Sequence, residues 1–125
     1  MWKKMDGRLI HTKDVSRVKF RTNISESILN ELNVLASEHN THVNYLLENG
    51  LTAVLTQGVI TYNKKLRPKD RVQYKTTYDK ELLEKVKQFA KDHDLFINDV
   101  IEYSVQYINT TDGSIKRVDF RNRVE

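Results

Sequence analysis

Few side chains in this 125-residue chain are placed for catalysis. There is no cysteine, which excludes thiol nucleophiles, disulfides and Cys-ligated zinc together. His39 and His42 lie three apart, but helix-end positions account for them better than a metal site. The glycines, at 7, 50, 58 and 113, form no phosphate loop or dinucleotide pattern. Ser, His and Asp occur, yet nothing sets a nucleophile against a base. Asp92 and Asp94 fall on an expected exposed turn. No enzyme, cofactor or metal is therefore expected. Two trios remain, Lys19, Arg21 and Asn23, then Gln73, Lys75 and Thr77, each spaced by two. On a strand, that spacing puts each trio on one face. Cations, amides and a hydroxyl on one face offer recognition chemistry.

The two trios belong to a repeat. Shifting the chain by 54 aligns residues 17–54 with 71–108 without a gap. Arg17/Arg71, Val18/Val72, Thr22/Thr76, Leu29/Leu83, Ala36/Ala90, His39/His93, Asn44/Asn98 and Glu48/Glu102 are identical. Apolar class matches include Phe20/Tyr74, Leu32/Val86, Leu47/Ile101 and Val54/Ile108. Chance rarely produces a gapless match that runs through a change of period.

Each copy opens with alternation, in residues 18–24 and 72–78, which predicts a half-buried strand. The period then becomes helical. Ile28, Leu29, Leu32, Leu35 and Ala36 form one stripe, copied by Leu82, Leu83, Val86, Phe89 and Ala90. Ser25 and Asp79 stand where N-caps belong, and Asn40 and Asp94 suit a left-handed turn at the helix end. A second stripe follows, Val43, Leu46, Leu47, Leu51 and Val54, copied by Ile97, Val100, Ile101, Val105 and Ile108. Gly50 and its counterpart Ser104 keep one spot small, as close helix packing requires. One strand and two helices cannot bury their apolar faces alone, but two such units can. Residues 59–70 reach at most roughly 40 Å at ~3.3 Å per residue, enough to cross a small domain. The expected organisation is a single domain. It has a first motif at 17–56, a linker at 57–70, a second motif at 71–109 and a basic C-terminal segment at 110–125.

The net charge of +4 conceals its distribution. Residues 1–24, 25–56, 57–80, 81–113 and 114–125 carry +5, −4, +5, −4 and +2. The basic blocks fall on the strands and their flanks, and the acidic blocks on the helices. Lys at strand edges also guards against aggregation, and Glu at helix starts suits the dipole. No run approaches the length of a membrane-spanning helix, and residues 1–8 show no apolar signal region. A cytoplasmic protein is the expectation.

This pattern resembles the ribbon–helix–helix superfamily, the Arc/MetJ type of DNA-binding protein. Residues 20–24, Leu32, Leu35, Ala36, Val43, Asn44, Leu46 and Leu47 carry the resemblance, with their counterparts 54 residues later. The implied fold is mainly α with a short antiparallel β-ribbon. Its two ribbon–helix–helix motifs would form an intramolecular pseudo-dimer. The implied partner is double-stranded DNA, with the ribbon in the major groove. The resemblance assigns base-edge contact to Lys19, Arg21, Asn23, Gln73, Lys75 and Thr77. Arg and Lys donate to guanine, and Asn and Gln pair with adenine. It assigns phosphate contact to Val43, Asn44, Ile97 and Asn98 at the start of each second helix. Arg17 and Arg71 are added at the ribbon flanks. The sequence departs from the family at the turn, where Asn40 and Asp94 replace glycine. It departs again at the second-helix cap, where His42 and Phe96 replace Ser or Thr.

The expected function is a sequence-specific regulator, a repressor that occupies an operator in the nucleoid. Because the two trios differ, an imperfect or asymmetric operator is expected. Side-by-side assembly of pseudo-dimers on DNA is compatible with it. A plasmid-transfer accessory protein, an antitoxin and a structural homo-oligomer without DNA binding are the alternatives. Only 17 residues follow Ile108, short for a toxin-binding tail. The tail at 117–121 echoes 17–21 and reads as a structural or oligomeric strand rather than a DNA reader, with a solvated basic tail as the alternative. Residues 8–12 and 59–62 also have strand composition. Residues 1–6 are expected to be mobile.

Overall fold

Alternation in the two basic segments produces a ribbon. In the computed structural model, which describes residues 16–117, β1 (Arg17–Ser25) and β2 (Arg71–Asp79) pair antiparallel as a two-stranded sheet. The pairing runs from Arg17↔Asp79 to Ser25↔Arg71, with Arg21↔Lys75 at its centre. Arg21 and Lys75 are also counterparts in the repeat, so the ribbon's centre and the repeat coincide. The expected strand at 8–12, the mobile start at 1–6 and the tail residues 118–121 lie outside the described residues.

A two-stranded ribbon is marginal by itself, so its inner face must be covered. Val18, Phe20, Ile24, Tyr74 and Tyr78 turn inward, and Ile24 and Tyr78 are buried. Phe20 meets Tyr78 edge-on, with ring centroids 6.2 Å apart. The cover is four helices, α1 (Glu26–Glu38), α2 (Val43–Gln57), α3 (Lys80–Asp92) and α4 (Ile97–Ser104). The protein is thus mainly helical with one two-stranded antiparallel sheet. The stripes read from the sequence line its core: Leu29, Leu32 and Ala36 from α1, and Leu83, Val86 and Ala90 from α3. Leu46, Leu47, Leu51 and Val54 of α2 and Val100 and Ile101 of α4 complete it. Packing crosses over, with α2 against β2 and α4 against β1.

The helix ends follow local chemistry. Ser25 Oγ accepts from the Ile28 N–H at 3.4 Å, and the Asp79 carboxylate from the Leu82 N–H at 2.9 Å. Asn40 and Asp94 adopt φ of 54° and 55°. The next N–H groups, on Thr41 and Leu95, return to the Ala36 and Ala90 carbonyls at 2.9 Å each. This closure satisfies carbonyls that the helix end would leave open.

The second copy departs from the first in α4. It has eight residues where α2 has 15, and a 3₁₀ turn, Val105–Tyr107, follows it. Val105 and Ile108 therefore pack half-buried outside the helix. Ser104 Oγ donates to the Ile101 carbonyl at 2.6 Å, which competes with helical continuation. Gly50 lies directly against the Ser104 carbonyl, so a Cβ there would collide with backbone.

The strand expected at 59–62 does not form. The Thr61 N–H reaches the Tyr103 hydroxyl at 3.5 Å, and Ile60 packs on the helical core. A 3₁₀ turn, Lys64–Leu66, follows. Residues 110–117 of the tail are turns and irregular chain. They fold back over α2: Ile115 is buried, Thr41 Oγ1 donates to the Lys116 carbonyl, and Arg117 donates to the His39 carbonyl at 2.8 Å. No described helix is long and apolar enough to cross a membrane.

Gly50→Ala raises helix propensity yet is expected to destabilise by about 1–3 kcal/mol, through overpacking. Urea denaturation followed by circular dichroism measures it. Tyr78 offers the opposite case. Its hydroxyl is buried without a hydrogen-bond partner among the described residues, and burial pushes its pKa up. Tyr78→Phe removes an unsatisfied group, so the same measurement should show stability unchanged or raised by about 1 kcal/mol.

Candidate nucleic-acid interface

The pairing register assembles the two trios into one surface. Lys19 stands opposite Thr77, Arg21 opposite Lys75, and Asn23 opposite Gln73. All lie on the ribbon face opposite Phe20, Ile24, Tyr74 and Tyr78, with Thr77 at the edge that meets α2. Thr77 is half-buried and the other five are exposed. Three positive charges occupy this face, and none of Lys19, Arg21 and Lys75 has an ion-pair partner among the described residues. Directly opposed like charges, as at Arg21↔Lys75, destabilise a ribbon unless an anion compensates them.

The ribbon's ends are held by two carboxylates. Glu48 of α2 accepts from Arg17 at 2.9 Å and from the Asp79 N–H at 2.7 Å. Glu102 of α4 accepts from Arg71 at 2.6 Å and from the Ser25 N–H at 2.8 Å. These are counterpart residues making counterpart contacts. Each glutamate joins the arginine of its own copy to the helix cap of the other. Arg17 and Arg71, expected at phosphate, thus have guanidiniums committed to Glu48 and Glu102, with side chains 27% and 15% exposed.

The second end is reinforced. Asp99 is fully buried and takes hydrogen bonds from Arg67 at 2.7 Å, Arg71 at 2.8 Å and the Phe96 N–H at 2.9 Å. Burial alone would raise its pKa. The hydrogen bonds from Arg67, Arg71 and the Phe96 N–H outweigh burial and lower it to about 2. Arg67 also stacks on Phe96, 4.4 Å from its centroid. In the first copy Tyr45 stands where Asp99 stands, and the Arg17 guanidinium lies 5.4 Å from its ring centre.

The second-helix starts differ from one another. No side chain caps α2 after His42. The Val43 and Asn44 N–H groups have no partner among the described residues. The Val43 side chain is in the core, and Asn44 Nδ2 donates to the Thr77 carbonyl at 3.1 Å, placing this helix start beside β2. In α4, Asp99 reaches back to the cap, Ile97 and Asn98 are half-buried, and their N–H groups also have no partner among the described residues.

The residues missed by sequence reading are Glu48, Glu102, Asp99 and Arg67. The glutamates left a signal, being identical in both copies and lying between apolar stripe positions. Asp99 showed only as an acid near the start of the second copy's second helix, and Arg67 left no signal. Among the described residues no group of three or more His, Asp or Glu could hold a metal. Compared with protein-family models, curated proteins and solved structures, the chain has no match.

Removing the Asp99 charge leaves two arginines half-satisfied, so Asp99→Asn is expected to cost about 3 kcal/mol or more. Its pKa is lowered on folding, so its contribution is complete above the ordinary carboxylate value of about 4. It is lost as pH falls toward about 2. Thermal melts between those pH values should fall steeply for the natural chain and more gently for D99N.

Proposed function

We propose that the chain is a sequence-specific double-stranded DNA-binding regulator, acting as a repressor by occupying its site. The ribbon's outer face enters the major groove, whose width admits a two-stranded β-ribbon. One observation carries this reading. The register turns six separated residues into three opposed pairs of exposed or half-exposed polar groups, with no acid among them and three positive charges that have no ion-pair partner among the described residues. A ribbon guarded only against aggregation needs charge on its edges. It does not need opposed like charges at its centre or an opposed pair of amides.

In this reading the chain is a ribbon–helix–helix pseudo-dimer. Three features support it: counterparts opposed at the ribbon centre, crossed helix packing and the two reciprocal glutamate clamps. Phosphate contact falls to the open N–H groups of Val43, Asn44, Ile97 and Asn98. Arg17 and Arg71 serve instead by holding the ribbon ends. Because the halves differ, the operator is imperfect or asymmetric.

Genomic fragments should be captured on the full chain at moderate salt and sequenced. Enrichment of one motif is the expected result; recovery indistinguishable from input DNA would rule out sequence-specific binding. Arg21→Ala should weaken cognate binding by about 1–3 kcal/mol and relax the motif. The slope of log affinity against log salt should fall by about one for each phosphate that a variant no longer neutralises.

A further inference from the structure

The three opposed pairs are chemically unequal, and the ion network explains which end is open. At one end Asn23 faces Gln73. Both are exposed amides, and neither side chain hydrogen-bonds another described residue. At the other end Lys19 faces Thr77. The Thr77 hydroxyl accepts from Arg17 Nε at 3.3 Å and Asn44 Nδ2 at 3.4 Å. The same two side chains also bind its carbonyl, at 3.0 and 3.1 Å. Thr77 is thereby held against the ribbon's flank, half-buried.

Thr77 and Asn23 are counterparts, as are Arg17 and Arg71. The arginines behave differently because of what stands beside them. Arg17 has Glu48 and Tyr45, so its guanidinium also reaches across to Thr77. Arg71 has Glu102 and the buried Asp99, which take its hydrogen bonds inward. The Arg71 guanidinium donates to Glu102, Asp99 and the Tyr62 hydroxyl rather than to Asn23, whose amide has no partner among the described residues.

We infer that the ribbon reads DNA from one end. The Asn23–Gln73 pair and the central Arg21–Lys75 pair carry base specificity, while the Lys19–Thr77 end contributes charge but little base discrimination. The inference rests on the DNA-binding reading above. Two opposed amides match adenine, which presents a donor and an acceptor side by side in the major groove. Arginine and lysine at the centre match guanine. The expected motif is guanine-containing at its centre, with adenine preference on one side and weak preference on the other.

The test is selection of bound duplexes from a randomised DNA library by the full chain, followed by sequencing. A motif with information on one flank supports the inference. Equal information on both flanks overturns it while leaving DNA binding intact. No enrichment overturns DNA reading and the inference together. Variants then assign the flank. Asn23→Ala and Gln73→Ala, both at exposed positions, should each lower cognate affinity about fivefold or more and flatten the adenine-preferring flank. Thr77→Val should leave that flank's base profile unchanged. A motif altered by Thr77→Val but not by Asn23→Ala would overturn the assignment.

Discussion

A carboxylate shared between an arginine and a foreign helix cap holds this fold together. It occurs twice, through Glu48 and through Glu102. Glu102 is buried and Glu48 half-buried, and a carboxylate withdrawn from water is costly to leave without its partners. Those partners sit on opposite strands at one ribbon end, Arg17 with Asp79 and Arg71 with Ser25. The clamps therefore oppose any slip in register. A slip of β1 by one residue would turn Ile24 to solvent and drive Lys19 and Arg21 toward the core, and a slip of β2 would do the same to Tyr78 and Lys75. Apolar burial and ion pairing select the same register.

The two halves reach this result unequally. In the first, an arginine, an aromatic ring and one glutamate suffice. In the second, Asp99 and Arg67 join the pair, and the helix that carries Asp99 ends after eight residues. Its last residue abuts Gly50, and the folded-back tail fills space over α2 with Ile115. An exact repeat would present the same surface at both ribbon ends. The differences behind the outer face are what distinguish its ends.

Strands, helices, caps and left-handed turns were legible because each obeys a local rule. Ser25 and Asp79 cap within three residues, and Asn40 and Asp94 act on the turn that contains them. Where local composition misled, a distant group had intervened. Residues 59–62 have strand composition, yet the Thr61 N–H goes to the hydroxyl of Tyr103, 42 residues away. Arg17 and Arg71 read as free cations until carboxylates 31 residues further on met them. The candidate surface was half legible. The period of two named its six residues, but not which stood opposite which.

By itself the sequence determined the two copies, their change of period, the apolar stripes and the side chains available for recognition. These follow from spacing along the chain, which a strand or helix converts directly into faces. Only the tertiary structure decided the pairing of Asn23 with Gln73, the capture of Arg71 by Asp99, the shortened α4 and the burial of Ile115. Each of these depends on groups brought together across the fold. Their energies come from desolvation and from partners whose positions no local period encodes.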